Sequence, residues 1–316
     1  MKKYLVTGAM GFVGSHWCEA LLKEGKTVYG MDSNPRYLKL LEHNNFIFIH
    51  DSIENSDILR TAVNNVDCVC HFAGIAEPDL YIKYPRKVMD VTAVAGINLI
   101  EMCRLSGKLF FLTSTSEIYG KNTKVPFKED DDRILGSTMT KRWCYSTSKA
   151  ILEHYLDACA YSKELNYVVV RLFNVYGPRL SGRVASIFLE EAFKNKDLLV
   201  HGDGKQTRCF TYIDDVIDAF NRLTNDPKCY NQVFNIGNPE EISMNEFAET
   251  IKKIGNFSSA IKHIDRYRYY GRSYEDINRR VPDISKIKKY TKWEPKTSLE
   301  EGVARTIEYM KKNKEE

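Results

Sequence analysis

Five short apolar runs recur in the first 113 residues: KYLVT, TVYGMD, FIFIH, DCVCHF and KLFFLT. Each has the length of a strand buried on both faces and is too short for an ordinary helix. Amphipathic stretches separate them. SHWCEALLKEG is one, and it stops at Gly25, the residue type that closes helices. Such alternation lays successive strands side by side in parallel, because each helix carries the chain back across the sheet. The expected fold is α/β, built on a doubly wound parallel sheet, and YVVVRLF supplies a sixth strand.

After about residue 176 the alternation breaks down. GDGKQTRCFTYIDD, NPEEIS and RRVPD place turn residues between short elements. The reading is a dinucleotide-binding domain over 1–176 and a smaller mixed α/β substrate-binding lobe over 177–316, with some exchange of chain and a cleft between them. A formal charge of +4 on 316 residues, with Lys and Arg scattered, argues against nucleic acid as a partner. No apolar window approaches the length of a membrane span, and MKKYLVTGAMGF reads as a first strand rather than a signal peptide. The eight cysteines lack metal or disulfide spacing and are expected as buried free thiols, which points to the cytoplasm.

TGAMGFVG follows the first strand and opens the first helix. Gly8, Gly11 and Gly14 allow a tight turn and close approach of backbone to a pyrophosphate at the helix N-terminus. Asp32 closes the second strand, where a carboxylate holds a ribose diol and repels a 2′-phosphate, favouring NAD over NADP. Arg36 nearby works against that preference. YSTSK sets Tyr145 and Lys149 four apart, on one face of a helix. Alone the pair reads as surface. With a dinucleotide loop upstream and the hydroxyl cluster STSEIYG at a strand end between them, it reads as a phenol made basic by a neighbouring ammonium.

TGAMGFVG, HFAG, STSEIYG, YSTSK and RLFNVYGPR together resemble the extended short-chain dehydrogenase/reductases, Rossmann-type enzymes, and more narrowly the NAD-dependent epimerase/dehydratase family that remodels nucleotide sugars. FNIGNPEEIS, YYGRSYEDINRRVPDISK and WEPKTSLEEG are similar to UDP-glucuronate decarboxylases, as is RWCYSTSK. The resemblance implies NAD as cofactor and a nucleotide-diphosphate sugar as substrate. It assigns Thr115 as the hydroxyl of the catalytic triad, Tyr145 as base and Lys149 as its electrostatic partner, with Ser116 and Glu117 beside them. Phe12, Val13, Ser33 and Arg36 join the glycines and Asp32 around the cofactor, as do Asp51, Ser52, Ile53 and Ala73. Asn174, Arg183, Arg208 and Arg280 fall where the family holds diphosphate or sugar, with Arg279 the alternative to Arg280. It also implies a homodimer or homotetramer packed through VTAVAGINLIEMCRLS and the helix that begins at YSTSK.

Glu117 is surplus to oxidation at sugar C4. A C4 ketone acidifies the C5 hydrogen and turns a C6 carboxylate into a β-keto acid, so Glu117 is expected to serve the step after hydride transfer. Otherwise it caps the local turn. Four outcomes stay open: decarboxylation, 4,6-dehydration, 4-epimerisation and release of the 4-keto sugar. A dinucleotide-binding sensor without turnover is the reading from another class, and such a protein would be expected to lose Tyr145 or Lys149.

Overall fold

The structure is a computed structural model that describes residues 2–265 and 277–313. The YYGRSYED part of the decarboxylase-like stretch and the end of the KKNKEE tail lie outside the described residues. Elements are numbered along the chain. The chain divides into two units. The first is Met1–Ile118, Lys141–Arg171 and Ala219–Phe234; the second is Tyr119–Thr140, Leu172–Asp218 and Asn235–Glu316.

The first unit is organised by a seven-stranded sheet. Its strands are β1 (Lys3–Thr7), β2 (Thr27–Asp32), β3 (Phe46–His50), β4 (Cys68–His71), β5 (Leu109–Thr115), β6 (Tyr167–Leu172) and β11 (Gln232–Ile236), in the order β11-β6-β5-β4-β1-β2-β3. The ladders β1–β2, β2–β3, β1–β4 and β4–β5 are parallel. From β3 to β6 this is the order of a doubly wound dinucleotide-binding sheet. Alternate side chains serve opposite faces. Leu5, Val69 and Leu112 meet α2 (Ser56–Asn64), α5 (Ala95–Leu105) and α6 (Trp143–Tyr161) through Leu59, Leu99 and Leu152. On the other face Phe220, in the C-terminal half of α8 (Ile213–Asn225), lies against Trp17 of α1 (Phe12–Lys23), Phe72 and Phe111. Trp17 Nε1 donates to Cys70 Sγ at 3.3 Å. The short helices α3 (Pro78–Lys83) and α4 (Pro85–Met89) lead into a π-helical turn, Asp90–Val94, ahead of α5. All eight cysteines are free and all but Cys144 are buried.

The second unit is built from short pairs: β7 (Val175–Tyr176) with β10 (Thr211–Tyr212), β8 (Leu198–His201) with β13 (Ile261–Ile264), and β9 (Thr207–Cys209) antiparallel to β12 (Glu241–Ser243). Helices α7 (Val184–Phe193) and α9 (Met244–Gly255) pack through Phe188 and Phe247. Buried Asp215 accepts the amides of Lys296 and Thr297, while Trp293 Nε1 donates to its carbonyl, anchoring the C-terminal segment. Among the described residues no helix is long and apolar enough to cross a membrane.

Candidate active site

The loop between β1 and α1 is shaped by glycines that nothing larger could replace. Gly8 has φ +71°, and a Cβ there would lie 2.8 Å from the Ala73 nitrogen; one on Gly14 would lie 2.1 Å from the Gly8 oxygen. Gly11 is the N-cap of α1 and brings no side-chain cap, so the first amides of the helix are left to an external anion. Phe12 and Val13 are half-buried in the first turn. The Asp32 carboxylate accepts the Met10 amide at 3.0 Å and the Asn34 amide at 3.0 Å, tying the glycine loop to the end of β2. A carboxylate has about four acceptor positions, so this leaves it able to take further donors. Ser33 and Arg36 are exposed. Asp51 accepts from the Ser52 amide at 2.6 Å and from Asn55 Nδ2 at 2.8 Å, shaping the turn after β3, and Ile53 is buried below it. The bare helix start, the glycine cradle and the acid at the strand end fit a dinucleotide.

The chemical groups gather where β5 ends and α6 begins. Thr115, Ser116 and Glu117 are all buried at the C-terminal end of β5 and in the 3-10 turn that follows it. The Glu117 amide donates to Thr115 Oγ1 at 3.2 Å, which occupies a lone pair of that hydroxyl and leaves its proton to be given elsewhere. Ser146 Oγ donates to the Glu117 carbonyl at 2.8 Å, docking the first turn of α6 on this turn. Tyr145 is buried and its ring lies parallel to Tyr81, 4.8 Å between centroids; the Tyr81 hydroxyl donates to the Ala76 carbonyl at 2.6 Å. Lys149, one turn on, is also buried. A Cβ placed on Gly74 would come 3.7 Å from Lys149 Nζ and 3.6 Å from Thr92 Oγ1, which locates the amine beside the HFAG loop. Burial pushes the Lys149 pKa down to about 8, with the Glu153 carboxylate one turn further on working against the shift. His71, at the end of β4, is pushed down to about 3 by burial and by the Lys149 charge, so it is a neutral imidazole; its Nδ1 shares a hydrogen bond with Thr7 Oγ1 at 2.8 Å.

The side chain of Glu117 pairs with Arg142, Nη2 to Oε1 at 3.2 Å, with the two side chains 1% and 8% exposed. Reading the sequence misses this partner, and misses Tyr81, because both act across many residues. The signal was an arginine beside Trp143 and Cys144, in a stretch that turns out to be buried.

The expected sugar and phosphate residues all fall in the second unit. Arg208 on β9 is buried and its Nη1 donates to the carbonyls of Thr207 at 2.7 Å and Asn278 at 3.3 Å. Arg280 follows that Asn278 segment and is also buried, whereas its neighbour Arg279 is on the surface, paired with Glu241 at 2.7 Å. Asn174 has φ +33° and donates to the Cys209 carbonyl at 3.2 Å. Arg183 is the N-cap of α7.

Comparison with known proteins identifies the family. The model of the family described as GDP-mannose 4,6 dehydratase matches residues 5–306. A UDP-N-acetyl-alpha-D-glucosaminuronate decarboxylase of Bacillus cytotoxicus is 35% identical over 318 residues, covering 98% of each chain. UDP-glucuronic acid decarboxylase 1 of Xenopus tropicalis is 32% identical over 99% of this chain and 73% of its own. Among solved structures, a UDP-glucuronic acid 4-epimerase of Bacillus cereus, determined with UDP-glucuronic acid and NAD, superposes with a TM-score of 0.88 at 28% identity, covering 98% of this chain and 99% of that one. The chain therefore belongs to the GDP-mannose 4,6-dehydratase family, among the NAD-dependent nucleotide-sugar epimerases and dehydratases of the extended short-chain dehydrogenase/reductases.

Proposed function

We propose that this protein oxidises a UDP-linked uronic acid at C4 and then releases the C6 carboxylate as carbon dioxide. The observation that carries the reading is Glu117, a buried carboxylate beside Thr115 that C4 oxidation does not require. The decarboxylase names of the Bacillus cytotoxicus and Xenopus tropicalis relatives favour this outcome over the others. NAD, held by the glycine loop, Asp32 and Lys149, supplies the hydride acceptor.

Tyr145 takes the proton of the C4 hydroxyl, Thr115 donates to that oxygen and orients it, and Lys149 stabilises the phenolate by its charge. The resulting C4 ketone makes the uronate a β-keto acid. The C5–C6 bond then breaks, its electron pair passes to the C4 carbonyl as an enolate, and a proton at C5 restores the ketone. The hydride taken at the start returns to C4 while Tyr145 gives its proton back to the C4 oxygen, so that product and substrate differ by carbon dioxide alone. Glu117 serves this second stage by orienting the ring and managing the C5 proton. In the second unit Arg208 and Arg280 offer guanidinium groups, whose planar fork suits a diphosphate.

Mass spectrometry of products from UDP-glucuronate and UDP-N-acetylglucosaminuronate with NAD tests the reading. Loss of the mass of carbon dioxide is expected. Loss of water, an unchanged mass or loss of two hydrogens would instead make it a dehydratase, an epimerase or a C4 dehydrogenase. Glu117→Gln is expected to leave single-turnover NADH formation in place and to slow product formation by about 10²–10⁴-fold, the usual cost of losing a general acid or base.

A further inference from the structure

Glu117 is gripped twice by one helix end. Ser146, in the first turn of α6, holds its backbone carbonyl at 2.8 Å, and Arg142, the N-cap residue of α6, holds its carboxylate at 3.2 Å. Arg142 is among the largest fully buried side chains of the protein, and its guanidinium lies 5.6 Å from the Trp143 ring centroid. The positive end of the α6 dipole favours an anion at the same place. The contact is close enough for the Glu117 charge to join burial in raising the Cys144 thiol to about 11.

Stability alone does not explain such a pair. Two charges lose their hydration on burial, and an apolar pair of similar volume generally holds a fold at least as well. A rigid planar guanidinium whose Nη2 lies 3.2 Å from Oε1 does, however, fix where that carboxylate oxygen sits more firmly than a flexible lysine would. We propose that Arg142 is the positioning residue for Glu117, holding its carboxylate in the orientation required after hydride transfer. This rests on the reading of Glu117 given above. It also means that one helix start carries both stages: Arg142 sets the carboxylate of the second, and three residues later Tyr145 is the base of the first.

The full-length enzyme with NAD and UDP-glucuronate tests this, using Arg142→Met, Arg142→Lys, Glu117→Gln and the double variant Arg142→Met/Glu117→Gln. NADH should form in single turnover at the parent rate in all four. Product formation should fall by about 10²-fold in Arg142→Met, fall less in Arg142→Lys, and be no slower in the double variant than in Glu117→Gln, because residues acting as one unit are not additive. Urea melts of the cofactor-free proteins provide a readout independent of turnover. Arg142→Met should be less stable than the double variant, which leaves no buried carboxylate behind. Normal product formation in Arg142→Met would overturn the proposal. So would loss of NADH formation in step with product, which would make Arg142 a support for α6 and Tyr145 only. If the parent enzyme makes no decarboxylated product, the reading of function fails separately. The variants are then scored on whatever conversion follows C4 oxidation, and an unchanged rate in Arg142→Met again overturns the proposal.

Discussion

Lys149 shows what burying an ammonium for the proposed chemistry costs the fold. It is 3% exposed, and its depressed pKa means that the folded chain binds this proton less well than the unfolded one. One pKa unit corresponds to about 1.4 kcal/mol, so keeping the ammonium buried costs about 3 kcal/mol. The sign follows from linkage. Below pH 8 both states are protonated and the penalty is complete. Between about pH 8 and the ordinary lysine value the unfolded state holds more protons, so stability rises with pH and the penalty fades. Lys149→Met should therefore raise the melting temperature of the cofactor-free protein at pH 7 and abolish turnover, and the gain in melting temperature should shrink above pH 8. A melting temperature that falls at pH 7 would contradict this account. As candidates, Tyr145 and Lys149 stand out in the sequence by a four-residue helical spacing and Thr115 and Glu117 by a hydroxyl cluster after an apolar run, while the role given to Thr115 came from the family resemblance. Arg142 does not stand out, because its partner lies 25 residues away and only the folded chain shows that both are buried.

At the scale of elements, the glycine loop and the end of β2 work as one piece, because Asp32 accepts the Met10 amide from within the loop. This gives the acid a task in the bare protein besides the ribose contact expected of it. Titration should show NAD bound more tightly than NADP. Asp32→Asn, which keeps one acceptor oxygen for the Met10 amide, should narrow the preference, whereas Asp32→Ala should also weaken both cofactors by loosening the loop. Equal affinity for the two cofactors in the parent protein would mean that exposed Arg36 outweighs the acid. KYLVT, TVYGMD and FIFIH correspond residue for residue to β1, β2 and β3, since strands buried in a parallel sheet are continuous apolar runs. The seventh strand escaped the same reading. QVFNI is short, begins with a polar residue and comes after the regular alternation has ended, so its place beside β6 depends on tertiary pairing. The π-helical turn Asp90–Val94 was equally hidden, because an apolar stretch gives no sign of one wider turn.

At the scale of the whole molecule, the outer surfaces of α5, α6 and the π turn leave Val94, Leu105, Ile151 and Tyr161 exposed, Tyr161 by 91%. We propose that a second copy covers them. Light scattering at micromolar concentration should give a dimer or tetramer, and Ile151→Asp should shift it toward monomer; a monomeric parent would refute the assembly. The first unit is also written into the chain in three separate pieces, and this sets an order in time. A ribosome delivers the glycine loop, Thr115 and Glu117 first, then Arg142, Tyr145 and Lys149. Phe220 arrives only with the third piece, roughly a hundred residues after the first ends. At ordinary synthesis rates that is a delay of about 5–20 seconds, during which Trp17, Phe72 and Phe111 lack the ring that lies against them in the finished fold. A nascent chain of this kind is sticky until late. A gene cut after residue 176 should yield an insoluble product even though it encodes the cofactor loop and the Thr115, Tyr145 and Lys149 residues.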